Sequence, residues 1–227
     1  MTRIPSLYSA LLVVISMLIV SSQASAEAYE WELRKDHQGI QVFTKKVASS
    51  PYKAVKAEAI VEDTRLSSLA ALIMDAEACP KWADKCAESY VYKQLSDTEF
   101  YVYSNNDMPF PVKDRDALSH VRWWQNPDSL EVVMEGVATT DIMERIKGRL
   151  RLTEAKTTWR FTPLGEGKVQ VINESHINPG SKVPGWLTNM LLVDTPYETM
   201  KDFLSEVKAD KYKQARVAFI SEEPVSQ

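Results

Sequence analysis

Alternation of apolar and polar residues governs the middle of this chain, and helical spacing closes it. Over 40–47, Ile40, Val42 and Thr44 share a face; over 52–61, Val55, Ala57, Ala59 and Val61 oppose Lys56, Glu58 and Ile60. A period of two with one wet face predicts a β-hairpin, broken at Pro51. Ahead of it, 29–37 reads as a short helix anchored by Trp31 and stopped by Gly39. Leu66, Leu69, Ala70, Ile73 and Met74 recur at helical spacing behind two candidate caps, Asp63 and Thr64, and predict a helix over 66–75. Strands follow over 90–95, 100–105, 116–125 and 130–139. A broken strand over 148–152 and 157–163, a turn at 165–167 and a last strand over 168–177 complete the run. From Trp186 a stripe steps through Met190, Val193, Tyr197, Met200, Leu204 and Val207 by fours and threes. Pro196 interrupts it, and Thr195, Pro196 and Glu198 match a capping box with proline at the first helical position. A kink near Asp194 is therefore expected, with a short helix before it and a longer one after. The pattern is α+β: a curved antiparallel sheet wrapped around a long, kinked C-terminal helix.

Both periodicities fail over 108–117. Pro109 and Pro111 flank Phe110, and proline fixes φ, removes a donor and turns the preceding residue away from helix. The segment reads as an extended loop with an apolar tip, Phe110 and Val112, expected to cover an apolar cavity. Asp114, Arg115 and Asp116 follow. In isolation Arg115 and Asp116 look catalytic, but no nucleophile or base stands in a recognisable pattern with them. They are read instead as a structural clasp, an ion pair at the strand start that pins the loop. His37, His120 and His176 are scattered, and no Gly-x-Ser-x-Gly, His-Glu-x-x-His or Gly-rich phosphate loop occurs. No catalytic group, cofactor or metal site is expected, and the chain reads as a non-enzyme.

The first residues change the picture of where the protein works. Arg3 precedes an apolar run over 7–20, and Ala24, Ser25 and Ala26 fit a signal-peptidase site. The run is shorter than the roughly 20 residues that span a bilayer. A cleaved signal peptide over 1–26 is expected, with an uncleaved anchor as the alternative, so the protein is expected to be periplasmic or secreted. One domain over 27–220 and a disordered tail over 221–227 follow. Export makes a Cys79–Cys86 disulfide plausible. A continuous helix would hold those Cα atoms roughly 10 Å apart, so a bond requires a tight turn between them; otherwise both are buried free thiols. A net charge of −4 argues against a nucleic-acid partner.

Three blocks together resemble the START domain, the lipid-transfer domain related to steroidogenic acute regulatory protein. One is Trp82 in its Cys79, Pro80, Lys81 context. A second is the run from Pro109 to Asp116, similar to the family's Pro-x-Pro…Arg-Asp signature. The third joins Trp159, Arg160, Phe161, Thr162 and Pro163 to Asn178, Pro179, Gly180, Pro184, Trp186, Leu187 and Asn189, with Pro196 in the last helix. The resemblance runs from about 29 to 219. It implies a helix-grip fold, a sheet of about nine strands curled around the C-terminal helix, with one lipid or other apolar molecule in a tunnel between them. Asn178 replaces the family's usual Asp and Ser181 its second glycine. Val121 stands where sterol-binding members carry a buried Arg, which speaks for a more apolar tunnel.

Ligand contacts are then expected from the helix stripe at Met190, Val193, Tyr197, Met200 and Leu204, with Tyr197 offering a polar handle. Phe110 at the loop tip and the strand-face residues Val102, Val121, Trp123 and Met134 complete the expected set, each in competition with a plain core role. The function expected is binding, and transfer through transient membrane contact, of a lipid or other hydrophobic ligand. Alternatives are a cyclase or aromatase of the helix-grip superfamily, and an interaction protein whose cavity has collapsed.

Overall fold

The computed structural model describes residues 29–180 and 183–222, so the expected leader and residues 223–227 lie outside the described residues. Its strands are β1 (Glu32–His37), β2 (Ile40–Val47), β3 (Ser50–Val61), β4 (Cys86–Gln94), β5 (Glu99–Asn106), β6 (Arg115–Gln125), β7 (Val132–Ala138), β8 (Leu150–Arg151), β9 (Ala155–Gly165) and β10 (Lys168–Ile177). Helices are α1 (Leu66–Met74), α2 (Cys79–Trp82), α3 (Gly185–Asn189), a π-helical turn (Met190–Asp194), α4 (Thr195–Glu206) and α5 (Asp210–Lys213). The strands form one antiparallel sheet in the order β1-β2-β3-β10-β9-β7-β6-β5-β4, with β8 added parallel to β6. The C-terminal helix packs against β2, β3 and α2. This is the helix-grip architecture.

The segment expected as the first helix is strand β1. Gln38 and Gly39 both take left-handed conformations, φ 52° and 76°, the geometry of a two-residue hairpin turn. That turn folds β1 back on β2, with His37 opposite Ile40. So short a helix is marginal by itself, and pairing with β2 gives the segment a ladder instead. The segment expected as the first half of a broken strand is also reassigned. Leu150 and Arg151 pair with Arg115 and Asp116 rather than extending β9.

One end of the grip is densely packed. Phe203 of α4 stacks within 4.7 Å of Trp159 and 5.3 Å of Trp82 (ring centroids), and Phe161 lies 6.2 Å away. Met200 and Val207 are buried beside them. Phe203 lies off the stripe read from the sequence. The π-helical turn carries an i→i+5 repeat, and beyond it Tyr197, Met200 and Val207 of the stripe are buried together with Phe203. The capping box does not form either. Thr195 has helical backbone angles, its hydroxyl donates to Asp84 Oδ2 at 2.8 Å, and helical backbone continues through the expected kink.

At the N-terminus of α1, Asp63 and Thr64 make no cap. The Glu222 carboxylate accepts from the Leu66 and Ser67 amides at 3.0 and 2.9 Å instead. Ser221 exchanges two hydrogen bonds with Gln125. The start of the expected disordered tail is thus tied down by a cap from 156 residues away.

Cys79 and Cys86 form the disulfide. The required turn is present: α2 ends at Trp82, Ala83 is extended, and Lys85 is left-handed at φ 71°. That brings the two Cα atoms to 6.0 Å.

Candidate ligand cavity

Above the aromatic core the grip is hollow. A cavity of about 500 Å³ lies between the upper ends of β2, β3 and β10, the proline loop, and the helical segment 188–195. Its roof is Leu191, Leu192 and Val193, three consecutive residues of the π-helical turn that all face inward. Val55, Leu152 and Ile177 make apolar wall. A volume of this size suits a small-molecule site, where apolar walls with a few placed polar groups are usual.

Polar groups enter at two corners. At the first, Thr44 lies opposite Val55, which lies opposite Ser175, so the three share one level of the inner face. Thr44 is 2% exposed, and its hydroxyl has no hydrogen-bond partner. Ser175 Oγ lies 2.8 Å from Thr157 Oγ1, which accepts from Asn173 Nδ2 at 3.2 Å. This hydroxyl row makes the interior more polar than the tunnel expected from Val121. Val121 itself is buried, and Arg122 turns outward to Glu135 at 3.4 Å.

The second corner holds Asp84, Lys85, Asn106 and Arg115. Its scaffold is the disulfide turn. The Asp84 amide donates to Thr199 Oγ1 at 3.0 Å, and the Asp107 amide donates to the Lys85 carbonyl at 2.8 Å. One short turn therefore joins the roof helix to the root of the proline loop.

The clasp is built differently from the expected ion pair. Successive strand residues point to opposite faces, so Arg115 and Asp116 cannot meet. Asp116 accepts two bonds from Arg151, at 3.1 Å from Nε and 2.9 Å from Nη2, with both side chains buried. Arg151 also donates to the Met143 and Glu144 carbonyls, so the pair anchors the 143–151 segment. Arg115 faces the cavity, 4% exposed, with its guanidinium bonded to the Lys113 carbonyl. Burial pushes that guanidinium down from the ordinary arginine range, and nearby Asp114 partly offsets the shift.

Of the ten expected ligand contacts, Val193 lies in the cavity wall. Val121, Trp123, Met134 and Met200 are buried in the hydrophobic core, and Val102 and Leu204 pack against it. Met190 is half-buried beside the roof. Tyr197 is turned the other way: its hydroxyl donates to Gln38 Oε1 at 3.2 Å, and Lys35 Nζ sits 4.0 Å over its ring. Phe110 does not cover the cavity. It is 94% exposed, and Met108 at the loop root reaches the wall instead. The run of three apolar residues at 191–193 was the available signal for the roof, because an α-helical stripe does not place three in succession on one face.

The wall is completed by the 178–180 turn, where the Asn178 side chain accepts from the Gly180 amide at 3.0 Å. Asn178 Nδ2 also donates to Glu154, a bond that the Asp usual in the family could not make. Gly180 has φ +73°, and a Cβ there would meet Leu150 at 2.6 Å. Ser181 lies outside the described residues.

A sheet gripping a helix over an internal cavity defines a small-molecule-binding class of fold. The family model described as START domain matches residues 15–213, and the chain belongs to that family. It is 31% identical over 192 residues to an uncharacterised protein of Pseudomonas aeruginosa, covering 85% of this chain and 94% of that one. It is 24% identical over 174 residues to human phosphatidylcholine transfer protein, covering 74% and 78% of the two chains. Among solved structures, a STAR-related lipid transfer protein fragment from Xanthomonas axonopodis superposes with TM-score 0.71 at 30% identity, covering 79% of this chain and 99% of that one.

Proposed function

We propose that this protein binds one lipid or lipid-like molecule in the cavity under the π-helical turn and exchanges it with a membrane, without acting on it chemically. The observation that carries the reading is the apolar cavity of about 500 Å³ roofed by Leu191, Leu192 and Val193. Removing acyl or ring surface from water there contributes about 0.8 kcal/mol per methylene. The names of the human and Xanthomonas relatives, both lipid transfer proteins, support the same use.

Exchange requires the bordering segments to move and to meet a bilayer. Phe110, 94% exposed, and Trp186, 54% exposed, stand on the two segments that border the cavity. Exposed aromatic side chains of this kind suit the membrane interface. The working compartment proposed is the periplasm or the exterior, reached by the leader over 1–26; the Cys79–Cys86 disulfide supports an oxidising location.

The test is native mass spectrometry of the protein purified from its own host without detergent, followed by organic extraction. A co-purifying lipid of defined mass is the expected result. A protein that is empty and takes up no fatty acid, phospholipid or sterol would overturn the proposal. In vesicle-to-vesicle transfer, Phe110→Asp with Trp186→Asp is expected to slow exchange while leaving the bound stoichiometry intact.

A further inference from the structure

Charge on the cavity wall departs from charge on the chain. The whole sequence has 27 basic and 31 acidic residues. Among the described residues that line the cavity, Arg34, Lys53, Lys85 and Arg115 face a single carboxylate, Asp84. Asp84 is engaged by Lys85 at 2.8 Å and by the Thr195 hydroxyl at 2.8 Å.

The Thr44 corner has the form of a head-group site. Thr44 pairs with Val55, two residues from Lys53 along β3, and Thr44 and Lys53 both line the cavity. The Thr44 hydroxyl is buried in the wall with no partner. A buried donor left unmade carries a desolvation penalty that a ligand oxygen would relieve. Lys53 Nζ rests 3.4 Å from Glu32, on an ion pair whose partners are 33% and 55% exposed. Exposed pairs of this kind hold weakly, and Arg34 shares the same carboxylate at 3.7 Å. The corner therefore sets two cations and an unpartnered hydroxyl against one solvated acid. Beyond it the wall is apolar, and Arg115 adds buried positive charge to the cavity.

We propose that the cavity selects amphiphiles with an acidic head group, a carboxylate or a phosphate monoester, held at the Thr44–Lys53 corner with the chain under Leu191, Leu192 and Val193. This deepens the binding function proposed above and rests on it.

The experiment measures equilibrium binding of four probes with equal C16 chains to the delipidated full-length protein. The probes are palmitate, hexadecanol, lysophosphatidic acid and lysophosphatidylcholine, each below its critical micelle concentration. Both acids are expected to bind about tenfold or more tightly than hexadecanol and lysophosphatidylcholine, with the margin falling as salt is raised. Palmitate against lysophosphatidic acid decides between carboxylate and phosphate. Lys53→Met and Thr44→Val are expected to narrow the gap between the acids and hexadecanol, and Lys53→Arg to keep it, with thermal melts confirming that each variant is folded. Hexadecanol or lysophosphatidylcholine binding as tightly as the acids overturns this inference alone. Failure of all four probes overturns the binding function with it.

Discussion

The two ends of the helical grip use the same sheet and the same helix to opposite effect. At the α4 end, Trp82, Trp159, Phe161 and Phe203 fill the space with aromatic rings, and Met200 and Phe203 are fully buried. At the other end, no residue of the π-helical turn is buried, and the sheet beneath carries the small side chains Thr44, Val55 and Ser175. Two causes produce the contrast. Small residues on the sheet leave volume that the helix does not fill, and the π-helical turn aims three successive apolar side chains at that volume instead of packing them. Stability is concentrated where the rings meet; binding capacity sits where they are missing.

The sharpest way to break this division is to hollow the packed end. Phe203→Ala is expected to cost about 3–5 kcal/mol, a fall of about 10 °C or more in melting temperature for a chain of this size. Leu192→Ala in the roof is expected to cost about 1 kcal/mol or less while weakening uptake of an apolar fluorescent probe. Urea titrations of the two variants compare the ends directly, and equal losses would show that the cavity end is as tightly packed as the core.

The Asp116–Arg151 pair lies outside this contrast and sharpens it by anchoring the segment that supplies Leu152 to the cavity wall. Asp116→Asn is expected to cost about 3–5 kcal/mol, because it leaves a buried guanidinium without its partner. Asp116→Leu combined with Arg151→Met is expected to recover most of that loss in the same denaturation assay.

The disulfide turn should act locally. Cys79→Ser is expected to cost about 2–3 kcal/mol for so short a loop. Hydrogen exchange should quicken first at the Asp107 and Cys86 amides, which are bonded to this turn, before it quickens at the ring cluster. Uniform quickening would mean that the turn serves the whole domain rather than the cavity corner.

A pH-dependent effect is expected at the packed end. Asp75 accepts from the Tyr212 hydroxyl at 2.6 Å and pairs with Lys211. Burial acts to raise its pKa, but the hydrogen bonds from Lys211 and Tyr212, with the Lys211 charge, outweigh it and hold the carboxyl below its usual range. A depressed carboxyl contributes stability above the ordinary carboxylate range and loses it as pH falls through the folded value. Asp75→Asn is therefore expected to lose about 1–2 kcal/mol at neutral pH. Its melting temperature should approach that of the parent in strong acid.

Most strands of the grip were legible because alternation is written into each segment without reference to the rest. The strand expected over 168–177 is β10 to the residue, and the helix expected over 66–75 is α1 within one residue. Failures fell where a distant group decided the outcome. The 29–37 segment has too little periodicity to declare itself, and pairing with β2 made it a strand. Thr195 had the local makings of a cap, but Asp84 claimed its hydroxyl. Asp63 and Thr64 offered themselves to α1, but Glu222 was placed better. The ligand contacts suffered most. A 3.6-residue stripe run through 190–194 takes one residue per turn and passes over Leu191 and Leu192, which line the cavity, while Tyr197 on that stripe is bonded to Gln38 instead.

By itself the sequence determined the class of fold, most of its strand segments, the proline loop and the family, since all of these reside in local periodicity and short motifs. It also determined that Arg115 and Asp116 matter, though not how. Only the tertiary structure decided that Asp116 turns to Arg151 while Arg115 faces the cavity, because adjacent strand residues diverge and their partners come from elsewhere in the chain. It alone decided where the cavity is and that a buried Thr44 hydroxyl faces it unpartnered. Empty space has no signature in one segment: it is what remains after all the segments have packed.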